Sequence, residues 1–166
     1  MKVVCYPAEV LRQSAEPIEK IDSEIESLAQ EMIKTMYQKK GIGLAAPQVG
    51  VSKQLIVVNP TFELGKEVVY INPQILNKKG RVMKEEGCLS FPGIYGNVVR
   101  AKRVEVSALL LTGEAVTFEA EEMVARVIQH EIDHLKGVLF VDKFQPAEQV
   151  MLKRQLREME ERRVKV

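Results

Sequence analysis

The stretch AEEMVARVIQHEIDHLKG, Ala120–Gly137, decides how the rest of the chain is read. Its apolar residues recur at helical spacing, and the periodicity predicts a helix from about Ala120 to Lys136 that stops at Gly137. The only two histidines of the chain, His130 and His134, stand four residues apart. Positions i and i+4 share one helix face, so both imidazoles can grip the same metal ion. Glu131 between them lies beside such an ion, placed to take a proton from a bound water. Projection at about 100° per residue separates three faces. Met123, Val127, His130 and His134 share a narrow sector, and Val124, Ile128, Ile132 and Leu135 form a wider apolar one. Glu122, Arg126, Gln129, Asp133 and Lys136 make up the polar remainder. The histidines therefore stand beside an apolar wall, as expected of a metal in a partly dry cleft.

Around this helix the chain reads as α+β, with antiparallel strands packed around a central metal-binding helix, an N-terminal helix and a C-terminal helix. The N-terminal helix is expected over Glu24–Lys39, with Ser23 and Glu26 as a capping box and Ile25, Leu28, Met32 and Met36 as its apolar stripe. Expected strands are Gln54–Asn59, Glu67–Asn72, Asn97–Val106, Val106–Leu111 with a break that the sequence does not locate, Ala115–Glu119 and Val138–Val141. Asn59-Pro60 and Asn72-Pro73 read as strand ends. A last helix from Pro146 to about Arg163 carries Val150, Met151, Leu152, Leu156 and Met159 as a modest stripe. With 166 residues the chain fits one domain, 1–166. A net charge of +1 gives no general electrostatic case for nucleic acid or membrane. The start, Met1 to Pro7, lacks a secretory apolar core, so a cytoplasmic location with reduced Cys5 and Cys88 is expected.

Catalytic sites of the zinc type commonly use three protein ligands and one water. A third histidine six residues after His134 would make a metzincin protease, but that position is Phe140. A downstream glutamate, Glu148 or Glu158, would suit a thermolysin-like protease. Cys88, in EEGCLS (Glu85–Ser90), would give a His₂Cys site instead. The segment GIGLAAPQVG (Gly41–Gly50) imitates a dinucleotide fingerprint but follows a helix, which is the wrong context. It fits a loop packed tightly on a neighbour, with Gln48 its one side chain able to hydrogen-bond. A non-enzymatic metal-binding module is the remaining class.

Three segments together, Gly41–Gln48, Glu86–Ser90 and Gln129–His134, resemble those of peptide deformylases in order and in a chain of this size. Pro7, Leu11 and Arg12 are similar to that family's opening segment, and the resemblance spans essentially the whole chain. It implies that Cys88, His130 and His134 hold one divalent ion, iron(II) by family habit, with zinc, nickel or cobalt able to occupy the site. It implies that Glu131 moves the proton, and that Gln48 and the backbone N–H of Leu89 steady an oxyanion. Ile42, Met123 and Val127, with the stem of Arg126 at the rim, would line a pocket for the substrate's methionine. Gly43 and Leu44 would offer backbone partners, while Glu86 and Arg100 would support the ligands. The substrates would be N-formyl-methionyl nascent peptides. The C-terminal helix suits the bacterial type, in which Lys153, Arg154, Arg157, Arg162 and Arg163 could meet the ribosome.

Overall fold

The computed structural model describes residues 1–164. Its centre is β2 (Leu55–Val58), a run of four apolar residues that are all buried. Strand alternation sends Ile56 and Val58 to one face and Leu55 and Val57 to the other. Ile56 and Val58 meet Ala125, Ile128, Ile132 and Leu135 of the metal-motif helix, while Leu55 and Val57 meet Ala29, Met32 and Met36 of the N-terminal helix. A strand buried on both faces reads as a continuous apolar run.

β2 belongs to a five-stranded antiparallel sheet in the order β1-β2-β3-β6-β7, with β1 (Gly43–Ala45), β3 (Val68–Lys79), β6 (Arg103–Leu109) and β7 (Ala115–Glu121). A separate hairpin pairs β4 (Val82–Gly87) with β5 (Tyr95–Arg100). The helices are α1 (Ser23–Gln38), α2 (Glu122–Leu135) and α3 (Pro146–Val164). α2 lies between the large sheet and the β4–β5 hairpin. A third apolar cluster, including Phe91, Val98, Phe140, Phe144 and Leu152, joins the hairpin to the C-terminal part.

Several expectations change in detail. α1 is capped by Asp22, whose carboxylate accepts from the Ile25 N–H at 3.0 Å, so the helix begins one residue before the expected Glu24 and Ser23 is not its cap. β3 continues through Asn72-Pro73 to Lys79. Asn72 takes a left-handed φ of 51°, and its side chain bonds both the N–H and the C=O of Ile18 at 2.8 Å. The ladder shifts register between Ile71 and Gln74, the bulge that tolerates a proline. The unplaced break falls between Arg100 and Arg103, where the Gln129 side chain bonds both backbone groups of Ala101. β1 is a strand inside the segment read as a loop, and β4 is a strand where no element was expected.

Val138–Val141 is not a strand. Leu139, Phe140 and Val141 are all buried, and Phe140–Lys143 forms a 3-10 turn closed by the Asp142 carboxylate on the Leu139 N–H at 3.0 Å. An apolar run this short has no periodicity to separate strand from turn. On α3, Leu152 is buried and Leu156 and Met159 pack against the third cluster, but Val150 and Met151 are exposed.

Candidate metal centre

α2 presents His130 and His134 one turn apart, with ring centroids 5.2 Å from each other. Cys88 follows the end of β4 and faces them. Its Sγ lies 3.4 Å from His134 Nε2, and one ligand atom from each of Cys88, His130 and His134 lies within 4.8 Å of the others. Glu148 and Glu158 are elsewhere. Glu148 accepts from the backbone N–H and Nδ2 of Asn97, both at 2.9 Å, and Glu158 is half exposed on α3 beside Arg154. The downstream-glutamate alternative therefore fails, and the third candidate ligand is a thiol.

The three side chains fit a cation. Burial works to lower the His130 pKa, but the hydrogen bonds to Cys88 and Glu86 outweigh it and hold it up at about 10. His134, buried and beside His130, is pushed well down, so its ring is neutral and able to ligate. Glu131 Oε2 and His134 Nδ1 are buried without a hydrogen-bond partner.

Glu86 orients this centre. One oxygen accepts from His130 Nδ1 at 2.9 Å and from Arg100 Nη2 at 2.9 Å. The other accepts from Arg100 Nε at 2.9 Å and Arg126 Nη1 at 2.5 Å. Burial alone would raise the Glu86 carboxyl, but its bonds to His130 and Arg100 hold it far below the ordinary range. Arg100 also reaches Asp133 at 2.5 Å, which Lys143 meets at 2.8 Å. The nitrogen pointing away from Glu86 is the His130 atom left for a metal, the usual arrangement in which a carboxylate fixes the ligand tautomer.

Arg126 lines the cavity, but its charged end turns away from it. Its guanidinium is buried, bonding Glu86, the Val98 carbonyl at 3.0 Å and the Val82 carbonyl at 2.6 Å. Within the polar sector of α2, Arg126, Gln129 and Asp133 face β5 and the residues that follow it, while Glu122 and Lys136 stay exposed. Sequence reading also missed Asp133 and Lys143 as members of this network. Asp133 sits inside the metal motif, and its place on the sector with Arg126 and Gln129 was the available signal.

A cavity of about 730 Å³ opens at the centre, bounded by Gly41, Ile42 and Gly43 on one side, Glu86–Leu89 on the other, and Met123, Arg126, Val127, His130 and Glu131 of α2. Gln48 also lines it. Its Oε1 accepts from the Ala45 N–H at 2.9 Å, which turns Nε2 towards Cys88 Sγ (3.4 Å) and Ser90 Oγ (3.2 Å). Gly43 packs so closely on α2 that a Cβ there would lie 2.7 Å from Glu131 Oε1. Leu44 does not line the cavity, and its side chain is fully buried against α1. The Asn59 N–H donates to the Ile42 carbonyl at 2.9 Å, so by antiparallel alternation Leu44 bonds Val57 and Gly43 turns its backbone groups to the open edge. Burial pushes the Glu131 carboxyl up to about 7, against the lowering effect of His130 and Arg100.

This fold and site define a mononuclear metal centre with two histidines and one cysteine, its glutamate held inside a cleft at a sheet edge. Residues 1–150 match the polypeptide deformylase family, and the chain belongs to it. It is 44% identical over 160 residues to the peptide deformylase of Acidobacterium capsulatum, covering 95% of this chain and 94% of that one. It is 47% identical over 156 residues to peptide deformylase 1 of Shewanella oneidensis, covering 94% and 93%. The crystal structure of a peptide deformylase from Legionella pneumophila superposes with a TM-score of 0.90 at 40% identity, covering 99% and 98%. The α+β expectation holds.

Proposed function

We propose that this chain removes the formyl group from the N-terminal formyl-methionine of newly made polypeptides, releasing formate, through one divalent ion held by Cys88, His130 and His134. The observation that carries this reading is the thiol that completes the His130-Glu131-x-x-His134 pair, where a protease would bring a carboxylate. Family membership supplies the substrate class. An ion bound there would act as a Lewis acid that polarises the formyl carbonyl and activates a water.

The protein's own groups supply the rest. Glu131, held inside the cleft next to the ligand His130, would take a proton from the attacking water and hand it to the leaving amine. Its partnerless Oε2 is the atom free to do so. Gln48 Nε2, its direction fixed through Ala45, and the Leu89 backbone N–H would donate to the oxygen on which charge develops. Ile42, Met123 and Val127 line the cavity and would receive the methionine side chain, with Arg126 adding only its stem. The open edge of β1 at Gly43 would pair with the extended peptide.

Iron(II) is the ion we assign, after the family, with zinc, nickel or cobalt as substitutes; a thiolate-bound iron(II) would make the enzyme oxygen-sensitive. We read residues 1–166 as one catalytic unit that works in the cytoplasm, where its substrate arises. Among the described residues no helix is long and apolar enough to cross a membrane. Lys153, Arg154, Arg157, Arg162 and Arg163 are all exposed on α3, which suits a contact with the ribosome. Leu152 anchors α3 in the core, so the test of that contact is charge reversal at Lys153 and Arg157, and unchanged ribosome pelleting would refute it.

The activity is tested by formate release from a formyl-Met-Ala-Ser peptide, using nickel-loaded full-length protein without oxygen. Release that disappears in Cys88→Ser is expected. No release by metal-replete protein would overturn the reading, and metal-dependent peptide-bond cleavage that survives Cys88→Ser would replace it with the protease.

A further inference from the structure

The cavity continues past the metal centre to a mouth whose charge the proposed reaction does not use. On one side, α1 ends at Gln38 and the chain turns through Lys39 and Lys40 before Gly41. On the other side stands Lys84 of β4. All three lysines are exposed, and all three line the cavity. Among the described residues none of them has a carboxylate within 4.0 Å, whereas Lys53, Lys102 and Lys143 each do. The one acid lining this mouth is Glu85. Strand alternation puts Lys84 on the same face of β4 as Glu86, which points to α2, and puts the Glu85 side chain on the opposite face. With three lysines against one glutamate, the mouth carries a net positive charge.

The direction of travel decides what meets it. Gly43 abuts Glu131, so the peptide's first residue sits there. Away from the metal centre, the open side of β1 leads back to Lys40 and Lys39, and β4 leads back from Cys88 to Lys84. An extended peptide advances about 3.3 Å per residue, so the second and third residues lie about 3 and 7 Å on, along the cavity that Lys39, Lys40 and Lys84 line. We propose that Lys39, Lys40 and Lys84 select formyl-methionyl peptides with acidic side chains at the second and third positions. This rests on the deformylase reading of the same site and names which of its substrates are preferred. Exposed ion pairs are weak singly, so three lysines against two carboxylates amount to about tenfold in kcat/KM, lost as salt screens them.

The experiment compares formyl-Met-Glu-Glu, formyl-Met-Lys-Lys and formyl-Met-Ala-Ala peptides, all C-terminally amidated, on the nickel-loaded full chain. At 20 mM salt the Glu peptide is expected about tenfold ahead of the Lys peptide, with the gap closing to about twofold at 1 M. In Lys39→Glu/Lys40→Glu/Lys84→Glu the order should invert, and in Lys84→Glu alone the gap should narrow. Turnover of all three peptides at equal kcat/KM overturns the selectivity while leaving the deformylase reading intact. A preference for Glu that the triple variant keeps overturns it too. No formate from any peptide overturns the deformylase reading and the selectivity with it.

Discussion

Glu86→Gln removes one charge and nothing else in outline, yet it strikes the group on which the centre is hung. In the native site Arg126 has Glu86 as its carboxylate partner, Arg100 has both Glu86 and Asp133, and Asp133 is shared with Lys143. The Arg100, Arg126 and Glu86 side chains are only 2%, 8% and 6% exposed. The substitution leaves the Arg126 guanidinium without a carboxylate where water cannot reach it, and turns an amide donor towards groups that are themselves donors. Stranding a charge in this way costs about 3–5 kcal/mol, a large part of the roughly 5–15 kcal/mol that holds a domain together. With a urea slope of about 2 kcal/mol/M, the midpoint should fall by about 2 M. His130 also loses the acceptor that fixes its Nδ1 proton, so metal affinity should drop about 10- to 100-fold. Urea denaturation in chelator isolates the first effect, and competition with a chromogenic chelator measures the second. A midpoint shift below about 0.5 M, with unchanged nickel affinity, would refute the reasoning.

Glu131→Gln should keep its metal in the same competition assay while kcat falls about 10²- to 10⁴-fold, and retained turnover would remove Glu131 from proton transfer. Gly43→Ala places a Cβ 2.7 Å from Glu131 Oε1 and 2.8 Å from Val127 Cγ1; displacing the glutamate should cost about 10² in kcat/KM with metal affinity unchanged, and wild-type kinetics would contradict that packing. Burial would raise the Asp142 carboxyl, but Arg12 and the Leu139 N–H hold it below its ordinary 3.8. Its folded pKa being depressed, Asp142 contributes stability that is complete above that value and lost as pH falls through the lower one. The gap in urea midpoint between wild type and Asp142→Asn should thus hold from pH 6 to about pH 4 and shrink as pH falls below 3.8 towards pH 2, and a gap that stays constant down to pH 2 would exclude the linkage.

What the sequence made legible follows from where each signal is local. The histidine pair needs only helix geometry, because i and i+4 share a face in any helix. The double burial of β2 is written in four consecutive apolar residues. The third ligand is a different kind of fact. Cys88 lies 46 residues before His134, and periodicity is silent about which distant loop meets a helix face. Residue spacing alone left Glu148 and Glu158 open, and these fell only when Glu148 proved bound to Asn97. The polar sector of α2 shows the same limit in reverse. Arg126, Gln129 and Asp133 carry the pattern of a solvated face, yet Arg126 and Gln129 are buried and Asp133 is half-buried because the β4–β5 hairpin closes over them. The first strand of that hairpin went unseen for a physical reason: in Val82–Gly87 only Glu86 is buried, so β4 has no apolar alternation to betray it. Its strand exists to bring Glu86 under two arginines and a histidine and to deliver Cys88 to the metal. A segment whose inward side chain is a charged one looks like a loop until its partners are in place, and this one supplies both the ligand and the acid that orients the centre.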